Sequence, residues 1–148
     1  MPSNGNPATV IDVLDAAWNR GDTPVIDRTV CENHVDHDPD GDQIGRIHLA
    51  DTVREYRAAF PDLHMSFDHQ IADGDTVVTR WTASGTHQGD FHGIAATGRS
   101  ATVTGIFIHR LADAQIAETW TAFDQLGLLR QLGIAPVPAT VSAPEPGT

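Results

Sequence analysis

The sequence has no lysine. Its nine basic side chains are all arginines, set against 20 carboxylates in 148 residues, for a formal charge of −11. A polyanion would be repelled by most of such a surface, so no nucleic-acid partner is expected. Cys31 is the only cysteine, which excludes an internal disulfide. Beside Val30 it reads as a core thiol rather than a nucleophile. No apolar run approaches the ~20 residues that a membrane span needs, and no membrane partner is expected. The first residues lack the basic and apolar regions of a secretory signal, so a cytoplasmic protein is expected. No His-Glu-x-x-His motif and no cysteine ligand set are present. The segment Gly93–Arg99 lacks the lysine of a phosphate loop, and no Gly-x-Ser-x-Gly elbow occurs.

What is present reads as helices first and strands after. Val10, Val13, Leu14, Ala17 and Trp18 recur at helical spacing over Pro7–Arg20, and Gly21 ends that run. Thr23-Pro24 looks like an N-cap followed by proline at the first helical position, opening a short second helix. Residues 32–42 read as a short strand running into an Asp-Pro-Asp-Gly turn. Arg46–Phe60 reads as a third helix. Four strands follow: Leu63–Ala72, Thr76–His87, Ser100–Leu111 and Gln115–Asp124, with a Gly-rich loop over 89–99. Gln125–Leu132 is a short amphipathic helix stopped by Gly133. The class is therefore α+β, with short helices covering one face of a curved sheet. One domain over 8–134 is expected, between a flexible N-terminus (1–7) and a mobile Pro-rich tail (135–148).

The two long strands alternate in a similar way. One face carries Val77, Thr79, Trp81, Ala83, Gly85 and His87, and its neighbour Ala101, Val103, Gly105, Phe107, His109 and Leu111. The opposite faces carry Thr82, Thr102, Thr104, Ile106 and Ile108, and neither face is plainly polar. Helices on one side and a second copy of the chain on the other would produce this pattern, so a homodimer is expected.

Several side chains are candidates for chemistry. Asp124, at the joint of the last strand and helix, shares a strand face with Ala122, Trp120 and Glu118. It is either a solvated strand end or a carboxylate whose pKa is raised in an apolar pocket, suited to proton transfer. His109 on the preceding strand could share a cavity with it, as an acid–base pair. His34-Val-Asp-His37-Asp38 could hold a divalent ion, but alternation puts His34 and Asp36 on one face and His37 on the other. A polar strand end with one histidine facing a pocket, and no metal, is the reading carried forward. His87 and Phe91 belong to a loop that either closes over a pocket or is simply exposed.

Three segments carry a resemblance: Ala59–Leu63 (Ala-Phe-Pro-Asp-Leu), Arg80–Arg99, and Thr119–Gly133 with its Thr-Trp-Thr-Ala-Phe-Asp-Gln-Leu-Gly-Leu-Leu-Arg-Gln-Leu-Gly run. Over roughly residues 8–134 the chain resembles the SnoaL-like polyketide cyclases of the nuclear-transport-factor-2-like superfamily. The resemblance implies a cone-shaped, curved antiparallel or mixed sheet, with about three N-terminal helices enclosing a pocket. It implies catalysis without metal or cofactor: intramolecular aldol closure of a hydrophobic carbonyl compound, or related lyase or isomerase chemistry. It matches the acid–base residue to Asp124 and supporting histidines to His109 and His37. Trp81, Phe107 and Trp120, with Trp18, His87 and Phe91, are then expected to contact the substrate. The alternative is a protein of the same fold that binds a hydrophobic small molecule without changing it.

Overall fold

A computed structural model of the protein describes residues 5–134. The elements run α1 (Gly5–Leu14), a π-helical turn (Asp15–Asn19), α2 (Pro24–Thr29), β1 (Val30–Asp38), β2 (Gly41–Ile44), α3 (Arg46–Ala59), β3 (His64–Asp73), β4 (Thr76–Thr86), β5 (Ser100–Ala112), β6 (Gln115–Phe123) and α4 (Gln125–Gln131). The six strands form one sheet in the order β2-β1-β6-β5-β4-β3. β1 and β6 pair in parallel and every other pair is antiparallel, so the sheet is mixed. It is curved but not closed into a barrel, and α1, α2 and α3 pack on its concave face. This is the α+β, nuclear-transport-factor-2-like architecture that the order of elements implies.

The first helix is longer and less regular than its apolar spacing suggests. Its start at Gly5 takes in residues 5–7, which the sequence reading left flexible; residues 1–4 and the tail 135–148 lie outside the described residues. Its last turn widens to π geometry at Asp15–Asn19. Two side chains hold that turn. The Asn19 amide donates to the Met65 carbonyl at 2.9 Å and accepts from the Met65 N–H at 2.7 Å, pairing with β3 as a strand would. Arg57 of α3 donates to the Trp18 and Asn19 carbonyls at 2.7 and 3.2 Å, satisfying groups that a helix end leaves open. The widened turn leaves Trp18 buried against the sheet. Thr23 does not cap α2 through its side chain; only Pro24 fulfils its expected role.

The core lies between the helices and the concave face. Val10, Val13, Ile26, Val53, Val77 and Ile116 are each at most 3 % exposed. β4 and β5 run in unbroken register from Thr76↔Arg110 to Thr86↔Ser100. Their inward faces are those that period-two alternation picks out. β3 departs from simple alternation, because a bulge between Phe67 and His69 shifts its register. Gln70 then turns inward to donate to Thr79 Oγ1 at 3.2 Å, and Ile71 is left 59 % exposed.

Candidate active site

The concave face of the sheet, α1 with its π turn, and α3 enclose a cavity of about 310 Å³. Trp18, Leu49, Phe60, Trp81, Phe107 and Phe123 supply much of its apolar wall. Trp81 stacks on Phe107 with ring centroids 5.2 Å apart. Gly105 makes room for this stack: a Cβ there would stand 2.3 Å from the Trp81 ring and 2.8 Å from Phe123 Cβ.

Polar groups enter this wall from three adjacent strands. Alternation along β1 turns His34, Asp36 and Asp38 towards the concave side, beside the inward Thr119 and Thr121 of β6. Thr121 Oγ1 donates to Asp36 Oδ1 at 3.0 Å, and His34 Nε2 lies 2.7 Å from Thr119 Oγ1. His109 enters from β5, opposite Thr119 in the register. Asp36, His109, Thr119 and Thr121 all line the cavity.

Burial sets the proton affinities of these groups. Asp36 is pushed up from 3.8 to about 6, chiefly because burial penalises its charge. The Thr121 hydrogen bond opposes the rise, and Asp38 and Asp42 add to it. His109 is pushed down from 6.5 to about 3 by burial, with His34 adding to the effect. Burial likewise lowers His34 to about 4. At neutral pH both imidazoles are uncharged, and the Asp36 carboxyl changes charge close to neutrality. His109 Nδ1, His34 Nδ1 and Trp81 Nε1 are buried without a hydrogen-bond partner among the described residues. Tyr56, T-shaped against Trp18 at 5.9 Å, is raised to about 12 by burial and by Asp40, Asp38 and Glu55.

Of the residues expected from the sequence, His109, Trp81, Phe107 and Trp18 line the cavity and the others do not. Asp124 is exposed at the start of α4. Its Oδ1 accepts the Gly127 N–H at 2.9 Å, so it serves as a helix N-cap. The reason is parity: in β6 the inward side chains are Thr119, Thr121 and Phe123, which puts Trp120, Ala122 and Asp124 on the convex side. His37 is outside for the same reason. It lies on the convex face, with Nδ1 2.8 Å from Asp42 and Nε2 2.6 Å from Glu118. Trp120 stacks on it at 5.3 Å and is 38 % exposed. His87 is wholly buried, but beside the cavity: Thr97 holds its Nδ1 through a hydroxyl at 3.0 Å and an N–H at 3.1 Å. Phe91 packs on Tyr56, Phe60 and His87 in the same loop cluster.

Asp36, weighed from the sequence only as a possible metal ligand, and Tyr56, not singled out there, are the cavity residues that sequence reasoning missed. Asp36 carried a signal nonetheless. His34, Asp36 and Asp38 form a polar line at every second position of a strand, on the face opposite His37, and that face turns out to be concave.

The chain belongs to the SnoaL-like polyketide cyclase family, whose sequence profile it matches over residues 8–132. Solved structures agree. TsrD from Streptomyces laurentii is 30% identical, with a TM-score of 0.81 over 91% of this chain and 99% of its own. IdmH of Streptomyces antibioticus, a proposed polyketide cyclase, is 30% identical, with a TM-score of 0.74 over 86% of this chain and 99% of its own. AclR of Streptomyces galilaeus, a proposed hydroxylase, is 28% identical, with a TM-score of 0.78 over 88% and 97%. A comparison with curated proteins finds no match.

Proposed function

We propose that the protein is an acid–base catalyst acting on a hydrophobic carbonyl compound, by intramolecular aldol closure or closely related lyase or isomerase chemistry. The observation that carries this reading is Asp36: a carboxyl in an apolar cavity, with its pKa raised to about 6. A base of that strength is ionised enough at neutral pH to take an activated C–H proton. The acid it becomes is strong enough to hand the proton to the alkoxide formed in ring closure. Thr121 holds the carboxylate as hydrogen-bond donor to Oδ1. The neutral His109 ring and the Trp81 indole N–H supply uncharged hydrogen-bonding groups in the same wall, suited to an enolate oxygen. The acid–base role that the family resemblance lends to Asp124 thus passes to Asp36.

The test is turnover of an aromatic polyketone whose cyclisation is followed by absorbance. Asp36→Asn is expected to lower kcat by ~100-fold or more, the usual worth of a positioned general base. Unchanged turnover in Asp36→Asn would reject the assignment. We also propose a homodimer through the convex face, where Ile106 and Trp120 are 43% and 38% exposed. Light scattering that returned the mass of one chain would rule this out.

A further inference from the structure

The charged groups around the cavity are of one sign. Asp36, Asp38, Asp40, Asp51 and Glu55 line it from β1, the β1–β2 turn and α3. No arginine is among the described lining residues, and the chain has no lysine. Among the described residues only Asp51 of these has a cationic partner, Arg54 at 3.1 Å. Three of the others answer to neutral groups: Asp36 accepts from Thr121, Asp38 from the Asp40 N–H at 2.9 Å, and Asp40 from Gln125 at 3.4 Å. They are close enough to act on one another. Asp38 is raised by burial and by its neighbours Asp40 and Asp42, and Tyr56 feels Asp38, Asp40 and Glu55 together. A low-dielectric cleft focuses such a field towards its mouth. Deeper in, His109 and Trp81, 3% and 5% exposed, each keep a ring nitrogen with no partner among the described residues. These polar groups of the cavity wall lie beneath a rim of carboxylates with no arginine among the described lining residues.

We infer that the cavity selects an apolar ligand carrying a basic amine, with the ammonium among Asp38, Asp40 and Glu55 and the ring system between Trp18 and Trp81. This rests on the acid–base reading above only in assuming that the same cavity is the working site. A cation at the rim relieves the crowding of carboxylates and meets the faces of Trp18 and Tyr56. A carboxylate, phosphate or phosphate-linked thioester would meet repulsion with no arginine or lysine among the described lining residues to offset it. Asp38, Asp40 and Glu55 are thus specificity-determining residues.

The experiment uses three fluorescent ligands of one shape and different charge: anthracenylmethylamine, anthracenylmethanol and anthracenecarboxylate. Each is titrated into the full chain at neutral pH. The amine is expected to bind about tenfold tighter than the alcohol at low salt, the size of one partly screened charge pair, and the acid weakest of all. Asp38→Asn with Asp40→Asn should bring the amine close to the alcohol, as should about 1 M salt. Glu55→Gln, at an exposed helix position, gives a partial loss without touching the core, and the salt titration needs no variant. Equal binding of the three ligands, tightest binding of the acid, binding of none, or an amine preference unmoved by both variants and salt would each overturn the proposal. Because the readout is binding, its failure is separable from that of the acid–base reading, which fails on Asp36→Asn turnover.

Discussion

Replacing Asp36 by asparagine should make the protein more stable while removing its proposed activity. In the folded chain the Asp36 carboxyl has its pKa raised from 3.8 to about 6. An acid raised in this way binds its proton more tightly in the native than in the unfolded chain. Its contribution to stability is intact below 3.8, falls as pH rises towards about 6, and is then constant. The full difference corresponds to ~3 kcal/mol at 1.36 kcal/mol per pKa unit. Residual solvent contact reduces it, and ~1–2 kcal/mol is the working expectation. Asparagine keeps an Oδ1 that can accept from Thr121, so little else changes. The assay is urea unfolding of both proteins between about pH 4 and pH 8, read as the difference between them, which cancels the other titrating groups. Asp36→Asn should match the wild type near pH 4 and exceed it above about pH 6.5. A difference that does not vary with pH, or a less stable variant at pH 8, would refute the burial of this carboxyl as described.

Three further outcomes follow from the geometry. Asp124→Ala should cost ~1 kcal/mol by loss of the α4 cap, and Asp124→Asn little; binding of a cavity ligand should be unchanged in both, measured by fluorescence titration. His37 has a carboxylate at each ring nitrogen, which favours the imidazolium, and the hydrogen bonds its ring donates to Glu118 and then Asp42 raise its pKa above 6.5. Its contribution is complete below 6.5 and is lost as pH rises above that, through the raised folded-state pKa, so the melting-temperature gap between wild type and His37→Gln should close at high pH; a constant gap would contradict this. Gly89→Ala would bring a Cβ to 2.2 Å from the Ala58 carbonyl oxygen, and should cost about 3 kcal/mol, seen as a lowered Tm.

Fold class was legible because each element announces itself locally. Apolar spacing marks α1 and α3, Asp73-Gly74-Asp75 marks the β3–β4 turn, and the Thr119–Gly133 run carries the family signature. The inward faces of β4 and β5 were legible too, since two long strands in unbroken register obey period-two alternation from end to end. The same rule placed His34 and Asp36 opposite His37.

What the sequence could not supply was which of two opposite faces is concave where both carry polar and aromatic side chains. In β6 the Glu118, Trp120, Asp124 face and the Thr119, Thr121, Phe123 face read alike. Only pairing with β5 and β1 turns the threonine face inward, which leaves Asp124 as a cap and sets Asp36 in the cavity beside Thr121. In β3 a single bulge shifts the register, and Ile71, in phase with Met65 and Phe67 by simple alternation, is left at the surface. Secondary structure and the kind of fold follow from short-range periodicity, which a chain displays on its own. Parity of a strand face, burial of one carboxyl and the resulting shift in its proton affinity depend on partners up to 85 residues away, as between Asp36 and Thr121, and so exist only in the folded molecule.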